Sequence, residues 1–205
     1  LGATLILVGR DRERLRQAQN AVRAFSGCGV DALHTVEADL SRLEEVRLAA
    51  TRIHALTPEV HGLINNAGAL FAEHQLNVDG FERGLGINLI APWVLTQELM
   101  PLIRKSKTRV INVVSGGMYL QGVKLKDMNF LNEDYNGSRA YARAKLTQEA
   151  LARAAAAGLG AALLPDFVAE HEFATGGLVP LWDAPTPTDG SYYIVWPTSR
   201  PRTEA

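Results

Sequence analysis

Residues 62–68 read Gly-Leu-Ile-Asn-Asn-Ala-Gly. The run Gly62–Ala67 predicts a short buried strand. Asn65-Asn66-Ala67-Gly68 at its end predicts a turn of small and polar residues. The same pattern recurs on both sides. Thr4–Gly9 (TLILVG) is an apolar run between Gly2 and Gly9, and Asp31–Leu40 and Arg109–Val114 (RVINVV) read as further strands. Helical spacing fills the intervals. Leu15, Ala18, Val22 and Phe25 follow Asp11, a candidate N-cap, and stop at Ser26-Gly27-Cys28-Gly29. Val46, Ala49 and Ile53 follow Ser41-Arg42-Leu43-Glu44, which reads as a capping box, and stop before Pro58. Residues 80–103 predict one long helical segment weakened by Gly84 and Gly86. Residues 138–157 predict an Ala-rich helix ended by Gly158. Strands alternating with helices predict a doubly wound α/β domain with a parallel sheet and right-handed crossovers. Such sheets take ligands beyond the carboxyl ends of their strands.

The composition excludes several classes. The 205 residues are 47% hydrophobic and 21% charged, with a net charge of -1. That balance gives no basic footprint for nucleic acid. Cys28 is the single cysteine, which rules out an internal disulfide and points to a reducing cytoplasm. The histidines at 34, 54, 61, 74 and 171 lack metal-ligand spacing, so no metal is expected. No apolar run approaches the ~18 residues of a membrane span, and no signal-peptide pattern opens the chain.

Beyond residue 155 the texture changes. An Ala/Gly seam leads into short segments, Leu159–Leu164, Gly177–Leu181 and Ser191–Trp196. Pro165, Pro180, Pro185, Pro187, Pro197 and Pro201 all lie there.

The chemistry sits at the strand ends. Tyr141-Ala142-Arg143-Ala144-Lys145 places a phenol and an ammonium one helical turn apart on one face. The nearby cation favours the phenolate, so the pair can serve as a general acid/base. Ser115 follows a strand and can hold a substrate oxygen. Asn66, Ala67 and Gly68 let a flat ligand approach the backbone. Asn88 lies inside a helix, where asparagine is a mediocre residue. Taken one at a time, these are an ordinary surface pair, a turn serine, an Asn/Gly turn and a solvent-facing asparagine.

Taken in order, Asn-Asn-Ala-Gly, an in-helix Asn, a strand-end Ser and Tyr-x-x-x-Lys resemble the short-chain dehydrogenase/reductase superfamily over residues 1–154. Gly116-Gly117-Met118-Tyr119 and the long interval from Ser115 to Tyr141 resemble its retinol-dehydrogenase-like branch. The resemblance implies a Rossmann-like sheet and an NAD(P)-dependent hydride transfer between a carbonyl compound and an alcohol. It implies that Tyr141 exchanges the proton, Lys145 lowers the phenol's pKa and holds the nicotinamide ribose, Ser115 positions the substrate oxygen, and Asn88 supports a proton-relaying water. Arg10, with Arg12 and Arg14 nearby, follows the first visible strand at the place where the adenosine ribose is read. An arginine there favours the 2′-phosphate of NADP over NAD. Asp39 and Leu40 match the adenine-contacting position. The loop 69–79 and the insert 119–138 are expected to line the substrate side. Phe71, Met118, Tyr119 and Phe130 then suggest a small apolar carbonyl or alcohol. Family members form dimers or tetramers through the helices bearing Asn88 and Tyr141, so a homodimer is expected.

The sequence departs from the pattern in two places. The family's first strand and the Gly-rich turn that cradles the pyrophosphate are missing, which predicts an incomplete sheet without its central strand. After the Tyr-x-x-x-Lys helix, Gly160–Asp166 can be read as a substitute strand with Pro165-Asp166 in place of Pro-Gly. Alternatively, residues 155–205 are a short α/β tail of different origin. Gly158-Leu159-Gly160, Leu163-Leu164-Pro165 and Ser191–Pro197 resemble the last part of a LysR-type effector domain, and the chain is then a chimera. Three functions follow: an oxidoreductase, a non-catalytic remnant that binds no cofactor, or a small-molecule-sensing fragment.

Overall fold

The computed structural model describes residues 2–120, 127–156, 161–165, 178–180 and 192–197. The expected alternation is present. Strand β1 (Leu5–Gly9) leads to α1 (Arg12–Ser26), β2 (Leu33–Glu37), α2 (Leu43–Leu56) and β3 (Gly62–Asn65). A helical stretch follows as α3 (Arg83–Leu85), a π turn (Gly86–Ile90), α4 (Ala91–Glu98) and α5 (Met100–Ser106). Strand β4 (Arg109–Val113) and α6 (Gly137–Ala156) complete this part, before β5 (Ala161–Pro165), β6 (Leu178–Pro180) and β7 (Tyr192–Pro197).

The parallel sheet comes in two pieces. β1 pairs with β2 in parallel, Leu5 opposite Leu33 through Gly9 opposite Glu37. Separately, β3, β4 and β5 run parallel, and β7 and β6 add antiparallel strands beyond β5. Among the described residues no strand joins β1 to β3. Both nevertheless face one core. Ile6 and Val8 of β1 and Leu63 of β3 pack against a cluster that includes Val36, Val46, Ala50, Leu95 and Leu99. An apolar run such as TLILVG is suited to a strand covered on both sides. Here Leu5 stays 44% exposed and Ile64 61% exposed. This is the incomplete Rossmann-like sheet expected from a missing central strand. β5 takes the substitute position expected of Gly160–Asp166, with Ile111 opposite Ala161. β6 and β7 fall on the two other short tail segments.

Local rules explain most boundaries. Asp11 Oδ1 accepts the Arg14 amide at 2.9 Å to start α1, and Gly27 ends it at φ 66°, where glycine carries no steric penalty. Two expectations need correction. No Ser41/Glu44 capping box forms. The Leu43 amide donates to Asp79 Oδ2 at 2.9 Å, and Glu45 rather than Glu44 reaches back, to the Asp39 amide at 2.7 Å. A partner 36 residues away thus replaces the local one. The helical segment is also not continuous from 80 to 103. It begins at Arg83, capped by Glu82, widens to a π turn at Gly86–Ile90, and breaks at Leu99 before Pro101.

Candidate active site

The carboxyl ends of β3 and β4 hold the site together. Asn65 is buried, and its Nδ2 donates to Asn112 Oδ1 at 2.9 Å, which ties β3 to β4. Asn66, Ala67 and Gly68 then run exposed across the strand end. A Cβ on Gly68 would stand 2.8 Å from Asn88 Oδ1 and 3.6 Å from Lys145 Nζ. Only a glycine brings the backbone this close to both groups.

Asn88 is fully buried on the π turn. Its Oδ1 accepts the Ala69 amide at 3.1 Å, and its Nδ2 donates to Ala69 O at 2.7 Å and Gly84 O at 2.8 Å. Both amide hydrogens are used, so the side chain staples the loop after β3 to the helix. It is not solvent-facing.

Lys145 is 2% exposed. Its Nζ donates to Val113 O at 2.7 Å and Gln148 Oε1 at 3.1 Å. An ammonium has three donors, and these two acceptors leave one N–H over. Burial pushes the Lys145 pKa down to about 8 from its ordinary 10.5. Tyr141, one turn earlier on α6, is half-buried and lines a cavity of about 490 Å³ with Leu70, Gly117, Asn136, Ser138 and Arg139. Ser115 is a neighbour of one cavity residue: the Cβ position of Gly117 lies 3.9 Å from Ser115 Oγ. The structure therefore gathers Asn88, Gly68 and Lys145 at one point, and Gly117 and Tyr141 in the wall of one cavity.

A second group sits at the ends of β1 and β2. Burial pushes the Asp39 carboxyl up, but the Ser41 amide at 2.9 Å and the charges of Arg10 and Arg42 outweigh it and hold it below its ordinary value. Arg12 is paired with Glu37 at 2.8 Å, and Arg14 lies 3.8 Å from Asp11. Arg10, beside Asp39 and Leu40, joins no ion pair among the described residues.

Of the four residues expected on the substrate side, Phe71 and Tyr119 are half-buried. Met118 and Phe130 are buried, and the Phe130 ring packs under Arg143 and edge-on to Tyr135. The Phe71 ring lies under Arg83. Short apolar runs in a loop signal packing as readily as a ligand wall. Residues 121–126 of the insert lie outside the described residues.

Three residues were not singled out in the sequence. Gln148 is legible in retrospect from its i+3 spacing to Lys145. Glu82 and Tyr135 are not. Glu82 is fully buried, accepts the Gly84 and Leu85 amides at 2.8 and 2.7 Å, and accepts the Tyr135 hydroxyl at 3.1 Å. Nothing local marks that pairing.

Residues 1–125 match the short chain dehydrogenase family. The chain belongs to that family. It is 34% identical over 151 residues to polyprenol dehydrogenase of Mus musculus, covering 71% of this chain and 44% of that protein. Against retinol dehydrogenase 14 of Homo sapiens it is 34% identical over 158 residues, covering 71% and 47%. A crystal structure of a putative uncharacterized protein from Mycobacterium Paratuberculosis aligns with TM-score 0.62 and 31% identity, over 77% of this chain and 56% of that one. The chain spans about half the length of the curated relatives it matches. These relatives agree with the retinol-dehydrogenase-like branch of the family. Residues 146–205 match the LysR substrate binding domain. That match begins inside α6, one residue after Lys145.

Membership of this family implies a nicotinamide cofactor. The described residues fit one at two places: the spare Lys145 N–H beside Gly68, and Arg10 next to Asp39. No helix among the described residues is long and apolar enough to cross a membrane.

Proposed function

We propose that this chain carries the reaction centre of an NADP-preferring oxidoreductase that interconverts a small apolar alcohol and its carbonyl compound. The observation that carries the reading is the buried Lys145 ammonium. It is held by two acceptors with a third N–H to give, one turn from a tyrosine that lines an open cavity.

When bound, the cofactor supplies or accepts the hydride. The rest falls to the chain. In reduction, the Tyr141 hydroxyl gives its proton to the carbonyl oxygen, and in oxidation the phenolate takes it from the alcohol. The remaining N–H of Lys145 is suited to a ribose hydroxyl. Ser115 Oγ, beside Gly117, can hold the substrate oxygen against Tyr141. Asn88 braces the loop carrying Gly68, and its Oδ1 keeps one lone pair for a relay water. Arg10 joins no ion pair among the described residues, which supports NADP at the adenosine end, with Asp39 and Leu40 at the adenine and Asn66, Ala67 and Gly68 under the cofactor. The names of the relatives, a polyprenol and a retinol dehydrogenase, support an apolar substrate, as do Leu70 and Ala142 in the cavity wall. Trp93 on α4 and Leu151 on α6, both exposed, support a homodimer through those helices. A cytoplasmic location belongs to the same reading.

A second reading rests on the divided sheet. With β1 and β3 unjoined among the described residues, the chain on this reading keeps the site residues and binds no cofactor. The LysR-like stretch then makes it a chimera. Cofactor titration separates the two. On the first reading, Arg10→Ala lowers NADPH affinity about tenfold and leaves NADH unchanged, as expected for a lost charge-assisted contact.

A further inference from the structure

Gln148 lies one turn beyond Lys145 on α6, and the proton chemistry proposed above makes no use of it. It is 3% exposed, with Oε1 3.1 Å from Lys145 Nζ. An ammonium only donates, so the amide must present its oxygen there. That orientation leaves Gln148 Nε2 buried without a partner among the described residues. A buried unmatched donor is unfavourable, and a leucine would fill a similar volume without one. Among the described residues, the amide's oxygen is what explains it.

We infer that Gln148 is a positioning residue for Lys145: its Oε1 keeps the buried amine charged and fixes Nζ between Val113 O and the Gly68 backbone. The consequence rests on the oxidoreductase reading, because a wandering Lys145 could not hold a ribose. Lys145 has few other supports. From β4 it meets the Val113 carbonyl, and from the loop after β3 it meets Gly68, against which Asn88 packs from the π turn. On its own helix, Tyr141 lies one turn before and Glu149 one turn after. No ion pair joins Lys145 to Glu149 or to any other carboxylate among the described residues. Gln148 and Val113 are thus its two acceptors, and only Gln148 can be removed by substitution.

The test is a direct titration of Lys145 in the full chain. Protein labelled with ¹³C-lysine is followed by NMR from about pH 6 to about pH 11. The Lys145 signal is assigned by its loss in Lys145→Met. Gln148→Leu removes the acceptor at similar volume and should lower the Lys145 midpoint by about one unit. Gln148→Glu is isosteric and places an anion there, which should raise it by about one unit or more. Loosened packing alone would admit water and raise the midpoint in both variants, so opposite shifts separate a positioning role from a structural one. A Leu variant with an unchanged or raised midpoint would overturn the inference. Should Gln148→Leu fail to fold, an unchanged midpoint in Gln148→Glu overturns it instead. No cofactor or turnover enters this titration. Failure of the oxidoreductase reading would appear separately, as wild-type protein that binds no NADPH.

Discussion

Lys145→Met should alter the pH dependence of stability in a predictable direction. Lys145 is 2% exposed, and burial lowers its pKa from 10.5 to about 8. Between those values the unfolded chain holds a proton that the folded chain has released, so wild-type stability rises with pH across that window. Below pH 8 both states are charged, and the fold carries the whole penalty. At 1.36 kcal/mol per unit this is about 3 kcal/mol. Methionine fills a similar volume and carries no charge. It also leaves Val113 O and Gln148 Oε1 short of a donor, a pH-independent offset of about 1–3 kcal/mol. All other titrating groups are common to both proteins and cancel in the difference. The unfolding free energy of the variant minus that of the wild type should therefore fall by about 2.5 kcal/mol between pH 7 and pH 10. Urea denaturation of both proteins at several pH values, followed by tryptophan fluorescence, measures it. A difference constant to within about 0.5 kcal/mol would refute the argument that a buried charge at this position burdens the fold.

Two further substitutions probe the frame around the site. A Cβ on Gly137 would stand 1.8 Å from Phe71 O, where backbone meets backbone at the start of α6. Gly137→Ala should cost about 3 kcal/mol or more in urea unfolding, and a variant as stable as wild type would contradict the close approach. The single Tyr135 O–H is shared between Phe71 O at 3.2 Å and Glu82 Oε1 at 3.1 Å, and its pKa is pushed up to about 12 by burial and then by Glu82. A raised pKa means stability that is complete below pH 10 and lost as pH rises from 10 to 12. Tyr135→Phe should cost about 1–3 kcal/mol at neutral pH and remove that alkaline slope. An unchanged slope would show that the hydroxyl does not contact Glu82.

The parts of the fold visible in the sequence were those governed by neighbours along the chain. Apolar runs located β1 to β4, and the three short tail segments fell on β5, β6 and β7. The Asp11 cap and the Gly27 stop needed no tertiary information. The capping box failed because Asp79, distant in sequence, outcompeted Ser41 for the helix start. The segment 80–103 appeared continuous because its pattern does not record the π turn that seats Asn88. For the site, the residues' order and the family resemblance it carries singled out Gly68, Asn88, Ser115, Tyr141 and Lys145, which lie after β3 and β4, on the π turn and on α6. Nothing in the sequence marks Glu82, whose partner is a tyrosine 53 residues later. Met118 and Phe130 are covered by protein for a related reason. Hydrophobicity signals burial, and only the fold says whether protein or ligand covers it.

The most direct test is an NADPH titration of the 205-residue chain, followed by cofactor fluorescence, with NADH as control and circular dichroism to establish that the sample is folded. The oxidoreductase reading predicts saturable binding that prefers NADPH and weakens in Arg10→Ala. No binding by folded protein would contradict it, leaving Tyr141, Lys145, Ser115 and Asn88 assembled but idle on a divided sheet.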